Sequence, residues 1–72
     1  MHSHKPAHPY VSDSNLADFD EKVINHSHTT PVLVDFWAEW CSPCHVLAPN
    51  LIKAVEQQQG RVKLVKVDVD EG

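Results

Sequence analysis

The chain has 72 residues, of which 42% are hydrophobic and 22% charged, with a formal net charge of -4 and a pI near 5.8. A chain this short forms one domain at most, and such a domain buries only about 60% of its unfolded surface. The acidic balance and the absence of any Lys or Arg cluster exclude a nucleic-acid binder, since no electrostatic footprint for phosphate exists. The longest apolar run, residues 32–34, falls far short of the roughly 18 residues that a membrane span needs.

Residues 1–9 contain three histidines and two prolines without apolar periodicity, so they read as a disordered tail. They also lack the apolar core of a signal peptide, which points to the cytoplasm. Residues 10–72 read as one domain. Tyr10 and Val11 suit a very short first strand. Ser12, Asp13, Ser14 and Asn15 are all good caps, and Leu16, Phe19, Val23 and Ile24 fall at helical spacing, so a helix is expected next. Residues 25–30 are polar and read as a loop.

Residues 31–37, P-V-L-V-D-F-W, predict a strand that is apolar on both faces, the pattern of a central parallel strand covered on each side. Asp35 interrupts the run. Ala38, Glu39 and Trp40 form a turn. A helix is predicted over residues 41–59, with an apolar stripe of Leu47, Leu51, Ala54 and Val55 and with Gly60 as its stop. The glutamine run at 57–59 suits a solvated helix end. Residues 61–68 are rich in valine and read as the last strand. The order strand, helix, strand, helix, strand predicts an α/β fold with a parallel sheet, flanking helices and right-handed crossovers.

The chemistry is concentrated in residues 40–45, W-C-S-P-C-H, which hold the only two cysteines. C-x-x-C near a βαβ pattern suggests a thiol–disulfide redox site, whereas C-x-x-C-H suggests covalent haem attachment. In the redox reading the cysteines sit where a strand ends and a helix begins. Pro43 suits the first turn, where its missing N–H costs nothing. Cys41 then lies near the helix N-cap, where unpaired N–H groups and the dipole stabilise a thiolate, the attacking form in disulfide exchange. Cys44, one turn on, can close a small disulfide ring with Cys41 and resolve a mixed disulfide. A carboxyl in an apolar strand should hold its proton unusually well, so Asp35 is a candidate base for Cys44, with Lys66 on the neighbouring strand as its partner.

Haem would need an axial ligand on the far side. Met1 is the only methionine, and the other histidines lie in the tail (His2, His4, His8) or the loop (His26, His28). Zinc would need four ligands, and Cys41, Cys44 and His45 supply at most three. The redox reading needs no cofactor beyond a Cys41–Cys44 disulfide and no metal.

Residues 32–44, V-L-V-D-F-W-A-E-W-C-S-P-C, closely resemble the active-site segment of thioredoxins. Ala48-Pro49 matches the proline that kinks the family's active-site helix, which here frees the His45 carbonyl from its helical bond. Residues 65–70 match its third strand. Asp35 and Lys66 fall on its buried Asp and partner Lys, and Trp37 and Trp40 flank the site, with Trp40 on the substrate surface. Two positions depart: Ser42 stands for the usual Gly and His45 for the usual Lys. Both sit where they bear on the direction of the reaction.

The resemblance covers about residues 10–72 and implies a thioredoxin-like fold truncated after strand, helix, strand, helix, strand. It implies exchange with disulfide-containing protein substrates and a reductase or small thiol as electron donor. The leader and the S-H-T-T-P loop look most similar to thioredoxin domains fused to tetratricopeptide-like repeats, which act as co-chaperones. That likeness implies an alternative, a client-binding module with accessory redox activity. The family's later elements, including its cis-proline loop, have no counterpart before Gly72. An inactive fragment is therefore a further alternative, and the strand at 32–37 is expected to have a bare edge that invites self-association.

Overall fold

The computed structural model describes residues 8–25 and 28–70. Expectations for the tail up to residue 7, and for His26, lie outside the described residues. The elements are strand β1 (Val11–Asn15), a short helix (Asp20–Ile24), strand β2 (Val32–Trp37), helix α1 (Ser42–Gln57) and strand β3 (Lys63–Asp68). The three strands form one parallel sheet in the order β1-β3-β2. The α/β class and the parallel sheet are as expected.

β3 is therefore the central strand, and β2 has one strand neighbour in this sheet instead of two. The sequence of β2 reads as central because it is apolar on both faces, yet Leu33 and Phe36 are exposed. β3 better fits a strand covered on each side. Leu64 and Val67 lie on opposite faces and are both fully buried, each contributing about 1.5–3 kcal/mol. One face packs Val65 and Val67 against Val23, with Phe19, Val32 and Val34 around them. The other face carries Leu64, Asp35, Trp37 and Lys66, and α1 covers it.

The first strand runs through the residues expected to cap a helix. Pairing decides this: Val11 to Asn15 lie in register with Leu64 to Asp68. The capping chemistry operates one step later. The Asn15 side chain accepts from Ala17 N–H at 2.9 Å and from Asp18 N–H at 3.1 Å. Asp18 in turn accepts from Asn15 N–H and from the Ser14 hydroxyl. The helix that follows is a single wide turn, closed by Asn25 N–H donating to Asp20 O at 3.1 Å. Leu16 and Ile24, expected on its apolar face, are exposed, while Phe19 and Val23 reach the core.

α1 begins at Ser42 with Cys41 as its N-cap and ends before Gln58. Its buried stripe is narrower than expected. Val55 is buried and Leu51 partly so, whereas Leu47 and Ala54 face outward. The chain leaves α1 through Gln58 and turns at Gly60, whose φ of +94° lies in the left-handed region that favours glycine. No helix among the described residues is long and apolar enough to cross a membrane.

Candidate active site

The cysteines are placed by a strand, a tight turn and a helix. β2 ends at Trp37, whose carbonyl accepts from Val69 N–H at 3.0 Å. Ala38 is buried, and its carbonyl accepts from Cys41 N–H at 3.0 Å, which closes the turn. Cys41 has an extended backbone, φ -93° and ψ 93°, and its carbonyl takes the first helical bonds from Cys44 and His45. Pro43 occupies the first helical turn, where no N–H is required. Cys41 and Cys44 form a disulfide with their Cα atoms 5.3 Å apart. No acidic residue lies in the first turn, so the positive end of the helix dipole is not neutralised there. Pro49 lies inside α1 and has no N–H to give to His45.

Both cysteines are partly buried. Cys44 Sγ lies 4.0 Å from the Phe36 carbonyl oxygen. It also faces a cavity of about 530 Å³ that it shares with Trp37, His45, Lys66, Asp13, Glu39 and Asp68. Trp37 and Lys66 thus meet the inner cysteine from the sheet. Asp35 projects from the same sheet face as both, because residues two apart on a strand share a face.

Asp35 is 5% exposed, and its Oδ2 has no hydrogen-bond partner among the described residues. Burial raises its pKa above the ordinary carboxylate value, and the charge of Lys66 partly offsets this. Lys66 pairs with Asp35 in register, but its ammonium lies over the Trp37 ring, 5.6 Å from the centroid. It is a neighbour of Asp35 without a direct ion pair.

The rest of the expected site surrounds the disulfide. Trp40 is 74% exposed immediately before Cys41, and its indole N–H donates to Asp70 Oδ2 at 2.7 Å. His45 packs edge-on against Trp37 and its Nε2 lies 2.9 Å from the Glu39 carbonyl, joining the helix to the turn. Ser42 is exposed at the helix start. Among the described residues, no three His, Cys, Asp or Glu side chains converge to hold a metal ion.

Sequence reasoning missed Asp70, Glu39 and Asp13. Asp70 and the Glu39 carbonyl carry no sequence signal, because both act through the path of the chain. Asp13 was legible in principle. Extending the first strand to Asn15 puts Asp13 beside Lys66.

Comparison with known proteins decides the family. The thioredoxin family model matches residues 10–72. The chain belongs to the thioredoxin family. It is 48% identical over 65 residues to a thioredoxin of Synechocystis sp., covering 90% of this chain and 56% of that protein. It is 50% identical over 54 residues to the mitochondrial thioredoxin of Bos taurus, covering 75% of this chain and 31% of the relative. A Haemophilus influenzae thioredoxin is 46% identical over 57 residues, 79% of this chain and 51% of that protein. The chain thus spans 31% to 56% of the length of these curated relatives. Nothing in these matches bears out the finer likeness to tetratricopeptide-fused thioredoxin domains.

Proposed function

We propose that the chain carries out thiol–disulfide exchange of the protein-disulfide reductase type through Cys41 and Cys44. The observation that carries this reading is the Cys41–Cys44 disulfide at the N-terminus of α1, beside an exposed Trp40. In the reduced protein the Cys41 thiolate attacks one sulfur of a substrate disulfide. The substrate S–S bond breaks, one substrate thiolate leaves and takes up a proton, and Cys41 is left in a mixed disulfide. Cys44 then attacks Cys41 Sγ, releasing the second substrate thiol and forming the Cys41–Cys44 bond. Two electrons pass to the substrate, and a reductase or a small thiol restores the dithiol.

Each remaining residue has a role in this scheme. Asp35, kept protonatable by burial, accepts the Cys44 proton. Lys66 tempers its charge. Trp40 offers an exposed ring to the substrate, and Trp37 with His45 backs the helix start. A lone reactive dithiol suits a reducing compartment, so the cytoplasm is the proposed location.

The test is reduction of a disulfide-containing protein with dithiothreitol as electron donor. Acceleration by the chain, abolished in Cys41→Ser, supports the reading. No acceleration by the unaltered chain would sink it. Exposed Trp40, Val46 and Leu47 around the disulfide favour a second reading, a surface that holds unfolded clients. That reading requires a Cys41→Ser, Cys44→Ser double variant to retain client holding.

A further inference from the structure

The charges of the chain are divided along its strands. The strands are parallel, so their carboxyl ends, Asn15, Trp37 and Asp68, lie along one edge of the sheet. α1 and its disulfide start from that edge. Glu39 follows β2 there, Asp68 ends β3, and Asp70 lies just beyond. Arg61 and Lys63 stand at the opposite edge, where β3 begins.

Three carboxylates adjoin the reacting sulfurs. Glu39 and Asp68 line the cavity that Cys44 faces. Asp70 accepts from the indole N–H of Trp40, the residue before Cys41. Glu39 and Asp70 are exposed, and Asp68 is half-buried. Among the described residues the ion pairs are His8–Glu56 and Lys22–Asp18, so no cation in contact neutralises any of the three. The other charged or titratable groups lining the cavity are Asp13 from β1, Lys66 from β3 and His45 from α1. Lys22 already bonds the Asp13 carbonyl, and the Lys66 ammonium rests over the Trp37 ring. The surroundings of the disulfide therefore carry an excess of negative charge, beyond what the net charge of the chain spreads evenly.

A field of one sign around a reacting group raises the local concentration of oppositely charged partners and lowers that of like-charged ones. The chemical step stays as proposed above, and the inference rests on that exchange reading. Cys41 attacks, one thiolate leaves, Cys44 releases the second, and two electrons pass to the attacked disulfide. What the carboxylates add is a preference among substrates.

We propose that Glu39, Asp68 and Asp70 are specificity-determining residues: they make this site favour protein disulfides whose cysteines lie beside lysine or arginine over those flanked by acidic residues.

The test uses three small disulfides as probes: cystamine, a dication; hydroxyethyl disulfide, which is neutral; and dithiodipropionate, a dianion. The second-order rate of each with the reduced chain is divided by its rate with dithiothreitol, a neutral dithiol, which cancels intrinsic reactivity. At an ionic strength of about 10 mM, cystamine should exceed the dianion about tenfold. At about 1 M, where screening acts within roughly 3 Å, the ratio should fall below about twofold. Glu39→Gln combined with Asp70→Asn should cut the low-salt ratio to about threefold or less, and Asn keeps an oxygen acceptor for Trp40. A change in the Cys41 thiolate itself cannot move this ratio, because both probes meet the same nucleophile. Glu56→Gln, in the last turns of α1 away from the disulfide, should leave the ratio nearly unchanged. A ratio near one in the unaltered chain overturns the proposal. So does an equal fall in Glu56→Gln and in Glu39→Gln, which would mean net charge only. No reaction with the neutral probe removes the exchange reading and this inference together. Reaction with the neutral probe without a charge preference removes this inference alone.

Discussion

The Trp40 indole N–H donates to Asp70 Oδ2 at 2.7 Å, tying the turn before Cys41 to the chain just past β3. Asp70 is itself steadied, because its N–H donates to Asp68 Oδ1 at 3.0 Å. A ring that is mostly exposed is thus held in one orientation beside the disulfide. Trp40→Ala should change folding stability by less than about 0.5 kcal/mol, as expected at an exposed position. It should slow exchange with a protein disulfide about threefold to tenfold, the loss of roughly 1 kcal/mol of aromatic contact. Exchange with a small-molecule disulfide should change little. Second-order rate constants for the two substrates check this, and equal losses for both would contradict a substrate-facing role.

Asp35 makes stability depend on pH in a definite direction. Burial raises its folded pKa above the ordinary value of 3.8, and Lys66 opposes part of that rise. Its contribution is fully present below that ordinary value, where both states carry the proton. It is lost as pH rises through the folded pKa, because the unfolded chain ionises freely and the folded chain resists. Asp35→Asn cannot ionise, so its stability should fall less steeply from about pH 4 to pH 8. Urea melts at both ends of the range check the slope. A variant that loses stability as steeply as the parent contradicts the account.

The α1–β3 connection has two left-handed positions in a row, Gln59 with φ of 54° and Gly60 with φ of +94°. A Cβ on Gly60 would also stand 3.3 Å from the Tyr10 ring. Gly60→Ala should therefore destabilise the fold by about 1–2 kcal/mol, and Gln59→Gly should be neutral or stabilising. Urea midpoints at constant slope distinguish these opposite signs.

The sequence made the element order legible because periodicity and punctuation agreed over most of the chain. Gly60, Pro43 and the apolar runs each mark a boundary that the fold respects. The first strand was misread because Ser12 to Asn15 carry local capping propensity, while their strand state depends on the ladder to Leu64–Asp68, which is far away in sequence. The apolar pattern of β2 points to a central strand, whereas the sheet has β3 in the centre and leaves β2 the bare edge expected for residues 32–37. Side-chain patterning does not say which apolar strand gains a second partner. At the site, Cys41, Cys44 and Asp35 stood out by residue type alone. The Lys66 ammonium resting on Trp37, and the Asp70 and Glu39 contacts, follow from backbone geometry that residue types do not encode.

The central claim is that the start of α1 activates Cys41. The most direct test is the rate of Cys41 alkylation against pH in a Cys44→Ser variant of the chain. The account predicts a midpoint well below the free-thiol value of about 8.5, within roughly 3.5–7.5, because the Cys41 thiolate faces an unneutralised helix N-terminus. A midpoint at or above about 8.5 would contradict it, since the helix start would then give the nucleophile no help.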